Sequence, residues 1–82
     1  MDRISTNIQS ILANQEHFCA EDGEPIYHIS TLDAITNFLY KHNKIHTRSM
    51  RRLNDDNEFL YRCHYTYWSE DGKTTLNLLI TA

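Results

Sequence analysis

The chain reads as one small α+β domain, with helices in its first half and a β-hairpin at its end. Its 82 residues are too few to build two separate cores. The hydrophobic period also changes along the chain, from helical spacing in the first half to strict alternation from Phe59 onward. Finally, an apolar content of 40% with two Gly and one Pro leaves linkers and low-complexity segments almost nothing to be made from.

Residues 3–16 place Ile4, Ile8, Ile11 and Leu12 on one helical stripe, with Asp2 suited to cap the exposed N–H groups. The opposite face, Ser5, Asn7, Gln9, Ser10 and Asn14, is polar and made of mediocre helix formers, so packing must hold this helix. E-D-G-E-P then signals a turn, and I-Y-H-I has the alternation and shortness of an edge strand. Residues 17–20 fit either a hairpin partner of that strand or the end of the first helix. Ser30 and Asp33 form an S-x-x-D capping box. Leu32, Ile35, Phe38 and Leu39 follow on one helical face, up to Asn43, which suits a left-handed stop.

Residues 45–54 decide the architecture. As a strand, neither alternating face is consistently apolar. As a helix capped by Thr47, Met50 and Leu53 share an inner face while Arg48, Arg51 and Arg52 point outward, and the helix is preferred. From Phe59 the aromatic face Phe59, Tyr61, Cys63, Tyr65, Tyr67 alternates with Leu60, Arg62, His64, Thr66, Trp68. S-E-D-G-K closes a hairpin, with Gly72 supplying a positive φ, and Leu76, Leu78 and Ile80 line one face of the returning strand.

The order helix, short strand, helix, basic helix, β-hairpin resembles the winged helix-turn-helix arrangement, in which the closing hairpin is the wing. That resemblance covers nearly the whole chain and implies a recognition helix near residues 47–54. One departure is the connection K-H-N-K-I-H, longer than a helix-turn-helix usually has. The rival, if 45–54 is extended, is an α+β fold with a three-stranded antiparallel meander after the central helix.

Net charge is −3, yet the charge is segregated. Lys41, Lys44, Arg48, Arg51 and Arg52 stand together without an acid, while the acids gather at Glu21, Asp22 and Glu24, at Asp55, Asp56 and Glu58, and at Glu70 and Asp71. On a helix, Lys44, Arg48, Arg51 and Arg52 would face phosphates or guanine edges, with Lys73 at the wing tip. The plainer reading is a solvated face offset by the acids that follow it. Trp68, opposite the tyrosine face with Arg62 and His64, has the composition of an interface hot spot, whereas the tyrosines themselves are more simply a buried face.

Among five His and two Cys, His42 and His46 stand at i, i+4, which suits one metal only if the helix continues through Asn43; no second pair supplies the other half of a site, and Cys63 and His64 point to opposite faces. No nucleophile elbow or phosphate loop is present, so the reading is non-enzymatic, without metal or cofactor. No run approaches the ~18 apolar residues of a membrane span, and the N-terminus lacks a secretory pattern. A cytoplasmic location, no membrane partner and reduced Cys19 and Cys63 are therefore expected. The modest core leaves room for a homodimer. The preferred function is a DNA-binding transcriptional regulator using the basic helix on duplex DNA. The alternative is a protein-binding adaptor or inhibitor of bacterial or phage type, acting through Trp68, Arg62 and the charged surface.

Overall fold

Ile4, Ile8 and Leu12 recur at helical spacing and are buried along one side of α1 (Arg3–Ala13). The structure, a computed structural model, describes residues 3–53, 59–69 and 71–82. Asp2, expected to cap α1, and the acids Asp55, Asp56, Glu58 and Glu70 lie outside the described residues. After α1 come β1 (His17–Cys19) and β2 (Pro25–His28), paired antiparallel, so residues 17–20 take the hairpin option. The turn between them closes with Ala20 N–H on Glu24 O at 2.8 Å, and Gly23 takes φ +87°, a conformation a side chain would resist.

The central helix α2 (Ser30–Lys41) buries Thr31, Leu32, Ile35 and Leu39. Its start differs from the expected capping box. Ile29 is the N-cap, in the right-handed helical region, with no side-chain cap bond. Because β2 ends at His28 and Ile29 N–H is taken by Thr81 O at 2.8 Å, no extended residue is left to place a Ser30 cap. Instead Ser30 N–H donates to His28 Nδ1 at 3.1 Å, and the Ser30 hydroxyl lies 2.9 Å from the same nitrogen. The far end follows the sequence: Asn43 has φ +55°, and Lys44 N–H reaches back to Leu39 O at 2.9 Å, which is the Schellman stop.

The basic helix expected over residues 47–54 is a strand in its described part, β3 (His46–Arg52). The helical reading rested on two apolar residues, Met50 and Leu53. Pairing with β4 (Leu60–Ser69) along the whole of β3 gives every second residue's backbone groups their partners without needing a buried stripe. Met50, assigned to the core in the helical reading, is exposed at the sheet edge. Among the described residues no third helix follows α2, so the recognition helix of the winged helix-turn-helix order is missing. β5 (Gly72–Thr81) then returns antiparallel to β4, with Gly72 at φ +110° in the hairpin.

The result is α+β: among the described residues, two helices and one five-stranded mixed sheet ordered β1-β2-β5-β4-β3. Only β2–β5 is parallel. Tyr27, Cys63, Tyr65, Tyr67, Leu78 and Ile80 form the inner sheet face, on which the buried residues of α1 and α2 pack. Their tyrosine hydroxyls are used: Tyr67 Oη lies 2.8 Å from Ser5 Oγ, and Tyr65 Oη donates to Leu32 O at 3.0 Å and meets Thr36 Oγ1 at 2.6 Å. These bonds fix both helices over one side of the sheet; among the described residues no helix covers the other side.

Candidate interaction surface

Register determines what β3 presents. Leu53 N–H donates to Leu60 O, and Ile45 O accepts from Trp68 N–H, at 3.1 and 3.2 Å. In an antiparallel ladder the residues bonded to the neighbour alternate, so the backbone groups of Thr47, Ser49 and Arg51 turn toward β4. Those of Arg48 and Met50 turn outward, away from the sheet. Among the described residues no element pairs with that outer edge, because β3 ends the strand order. The two edges of the sheet are unequal: β1 has three residues and β3 has seven.

Side chains alternate in the same way. Arg48, Met50 and Arg52 stand opposite Tyr65, Cys63 and Tyr61, on the helix side. Arg51 stands opposite Arg62 on the open side. The three arginines therefore do not form one patch. Arg48 lies against Tyr65, whose hydroxyl, with Asp33 farther off, raises the guanidinium above its ordinary pKa. Beside it His46 is flanked by two rings, Tyr40 at 5.2 Å edge-on and Tyr65 at 6.1 Å, and Tyr40, Asn43, Lys44, Ile45 and His46 line a shallow depression of about 390 Å³.

On the open side, Arg62 and Arg51 are like charges placed directly across, which is unfavourable by itself. Glu24 resolves this by a two-pronged bond to Arg62 at 2.5 and 3.1 Å. That hydrogen bond, foremost, holds the Glu24 carboxyl below its ordinary value and the Arg62 guanidinium above its own. Arg62 and Glu24 flank Leu79, a buried side chain on the side the helices do not cover. Arg51 remains exposed, and Trp68, 42% exposed, pairs across to the exposed Lys73. Between these ends run Thr47, Thr66 and Thr75 in one cross-strand row and Ser49, His64 and Asn77 in the next.

Of the residues singled out from sequence, Arg51, Arg62, Trp68 and Lys73 share the open face. Arg48 and Arg52 share the opposite one, and Lys44 sits half-buried before β3. Ile45 and Phe18 are exposed at 73% and 71% and carried no sequence signal of their own; the extended reading of 45–54 puts Ile45 on the face of Arg51, and the strand register sets it across from Trp68. Tyr65 and Tyr67 of the aromatic face are buried. Among the described residues no three His, Cys, Asp or Glu side chains are grouped to hold a metal, and no helix is long and apolar enough to cross a membrane. No protein-family model, no curated protein and no solved structure matches the chain.

Proposed function

We propose that this chain is a small protein-binding module whose contact surface is the β3 edge and the adjoining open face of β4 and β5. One observation carries the reading: β3 is a long, exposed strand whose neighbour β4 puts Trp68 on the same uncovered face as Arg51. An exposed Trp and an exposed Arg at the two ends of one uncovered face are residue types enriched in protein–protein contacts. The surface is also flat, with open rows of Thr and Ser, and offers no enclosed cleft from which water would be excluded for chemistry.

The ground for duplex-DNA recognition was a basic helix. With a strand in its place, that reading keeps only charge, and the charge is divided between two faces. A single-stranded β3 edge does not supply the two-stranded ribbon that fills a major groove.

The test is capture by the immobilised chain from nuclease-treated lysate of the source cells, alongside the double variant Trp68→Ala, Arg51→Glu. Proteins retained by the native chain and lost by the variant, with unchanged far-UV circular dichroism, are the expected outcome. Failure to retain any protein, together with mixed-sequence duplex binding that weakens steeply with salt, would overturn the proposal.

A further inference from the structure

We infer that the partner docks by strand addition: an extended acidic segment pairs antiparallel with the outer edge of β3. This rests on the protein-binding reading above and gives the partner its chemistry. The backbone supplies the first argument. Arg48 and Met50 turn their N–H and C=O groups outward along an edge that no described element covers, and an extended peptide satisfies such groups by continuing the ladder. β1 ends the sheet at only three residues, too short to hold a peptide in register. β3 is more than twice as long.

Charge selects the occupant. β3 reads H-T-R-S-M-R-R, with Arg48, Arg51 and Arg52 and no acid. A second copy of the chain would bring three arginines against three more with no acid on either strand; even in the register that pairs all seven residues, Arg48 lies diagonally across from Arg48 and Arg52 of the copy, which like charges on adjoining strands oppose. Edge arginines ordinarily guard a sheet against such self-pairing. The same guard attracts a strand of opposite sign. Asp33 is the acid that acts on Arg48 from α2; it lies on the helix side, whereas Arg51 is exposed on the open side.

The alternation then writes a pattern for the guest. Read antiparallel, its residues meet Arg51, Met50, Ser49 and Arg48 in turn. Complementarity asks for an acid, an apolar residue, a small polar residue and an acid. The first acid lies on the open face; the apolar residue and the second acid lie on the helix side.

The experiment titrates the ¹⁵N-labelled chain with the peptide acetyl-TEVTET-amide. Two N-methylated forms of it are compared, one methylated at Val and one at the central Thr. Strand addition predicts that the Arg48 and Met50 amides gain protection from exchange on binding. Methylation at Val, whose N–H would donate to the Met50 carbonyl, should weaken binding about fivefold to tenfold, the loss of one well-made hydrogen bond. Methylation at Thr, whose N–H faces away, should change it little. Replacing both Glu by Lys should abolish binding. Equal loss from the two methylations, or shifts confined to Trp68 and Lys73 without protection at Arg48 and Met50, would overturn strand addition while leaving protein binding intact. No binding at millimolar peptide would also overturn it, and the capture experiment decides the parent reading separately.

Discussion

Removing one oxygen at Tyr65 tests how the helices are tied to the sheet. The Tyr65 ring is fully buried, and its hydroxyl both donates to Leu32 O at 3.0 Å and accepts from the Thr36 hydroxyl at 2.6 Å. Tyr65→Phe deletes these two hydrogen bonds, each worth roughly 1 kcal/mol net, together with the hydroxyl's bond to the solvent-exposed Arg48, which adds little beside them. Leu32 O lies inside α2, where the helix itself supplies a donor. Thr36 is half-buried and can turn its hydroxyl back to that carbonyl, four residues earlier. Neither group is left fully orphaned, so the loss should fall at about 1–2 kcal/mol rather than above it. In urea this moves the midpoint down by about 1 M with an unchanged slope. Thr36→Val should cost less, and the double variant should fall short of the sum by about 0.5 kcal/mol or more, since both touch one bond. Tyr61→Phe, half-buried on the same face of β4, is the control and should stay within about 0.5 kcal/mol. A Tyr65→Phe variant as stable as the parent would mean that α2 is not anchored over β4 as described.

Three further outcomes follow from the same geometry. Hydrogen exchange along β3 should alternate, with Thr47, Ser49 and Arg51 amides protected and those of Arg48 and Met50 near the unstructured rate; uniform protection would contradict the edge position. The Glu24 carboxyl is held below its ordinary value by Arg62, so the stability it adds is present above the ordinary range near 4.5 and is lost as pH falls through the lowered folded value. Glu24→Gln should therefore cost about 0.5–1 kcal/mol at neutral pH in this partly solvated site, and the difference should vanish in acid; a difference that grows on acidification would refute the pairing. Cys19 is exposed, whereas Cys63 is buried with its thiol pushed up by that burial. A thiol reagent should accordingly label one site at once and the second only as the chain unfolds.

The parts of the fold legible from sequence were those in which burial leaves a period. Ile4, Ile8 and Leu12 on α1, Leu32, Ile35 and Leu39 on α2, and the alternation from Tyr61 to Tyr67 all face the core, and each pattern marks its element. β3 left no such mark because, beyond the half-buried His46, its side chains on both faces are exposed. With no apolar face to read, Met50 and Leu53 at helical spacing outweighed the extended conformation that His46–Arg52 adopt. The parallel register of β2 on β5 was equally hidden, since neither I-Y-H-I nor T-T-L-N-L-L-I names its neighbour. Of the candidate surface, Trp68 and Arg62 were placed on the right face by the hairpin alternation. The division of the arginines between two faces followed only once β3 was known to be extended.

The parallel pair has a bearing on how the chain reaches this state. β4 and β5 meet through a tight turn, and β3 lies next in sequence, so these three strands can zip locally. Ile26 must find Leu79 only after most of the chain has been ordered, and loop-closure entropy makes such distant pairing slow. Until β2 arrives, β5 is itself an edge. The nascent sheet then carries, beside the arginine-lined strand, a second border reading L-N-L-L-I that has no charge to deter neighbours. Concentration-dependent loss of refolding yield, relieved by slow dilution, would be the signature of that interval, and insensitivity of yield to concentration would argue that β2 docks early. The finished domain guards one border with arginines and the other by keeping it three residues long; the vulnerable border is the one the native topology hides in the middle of the sheet.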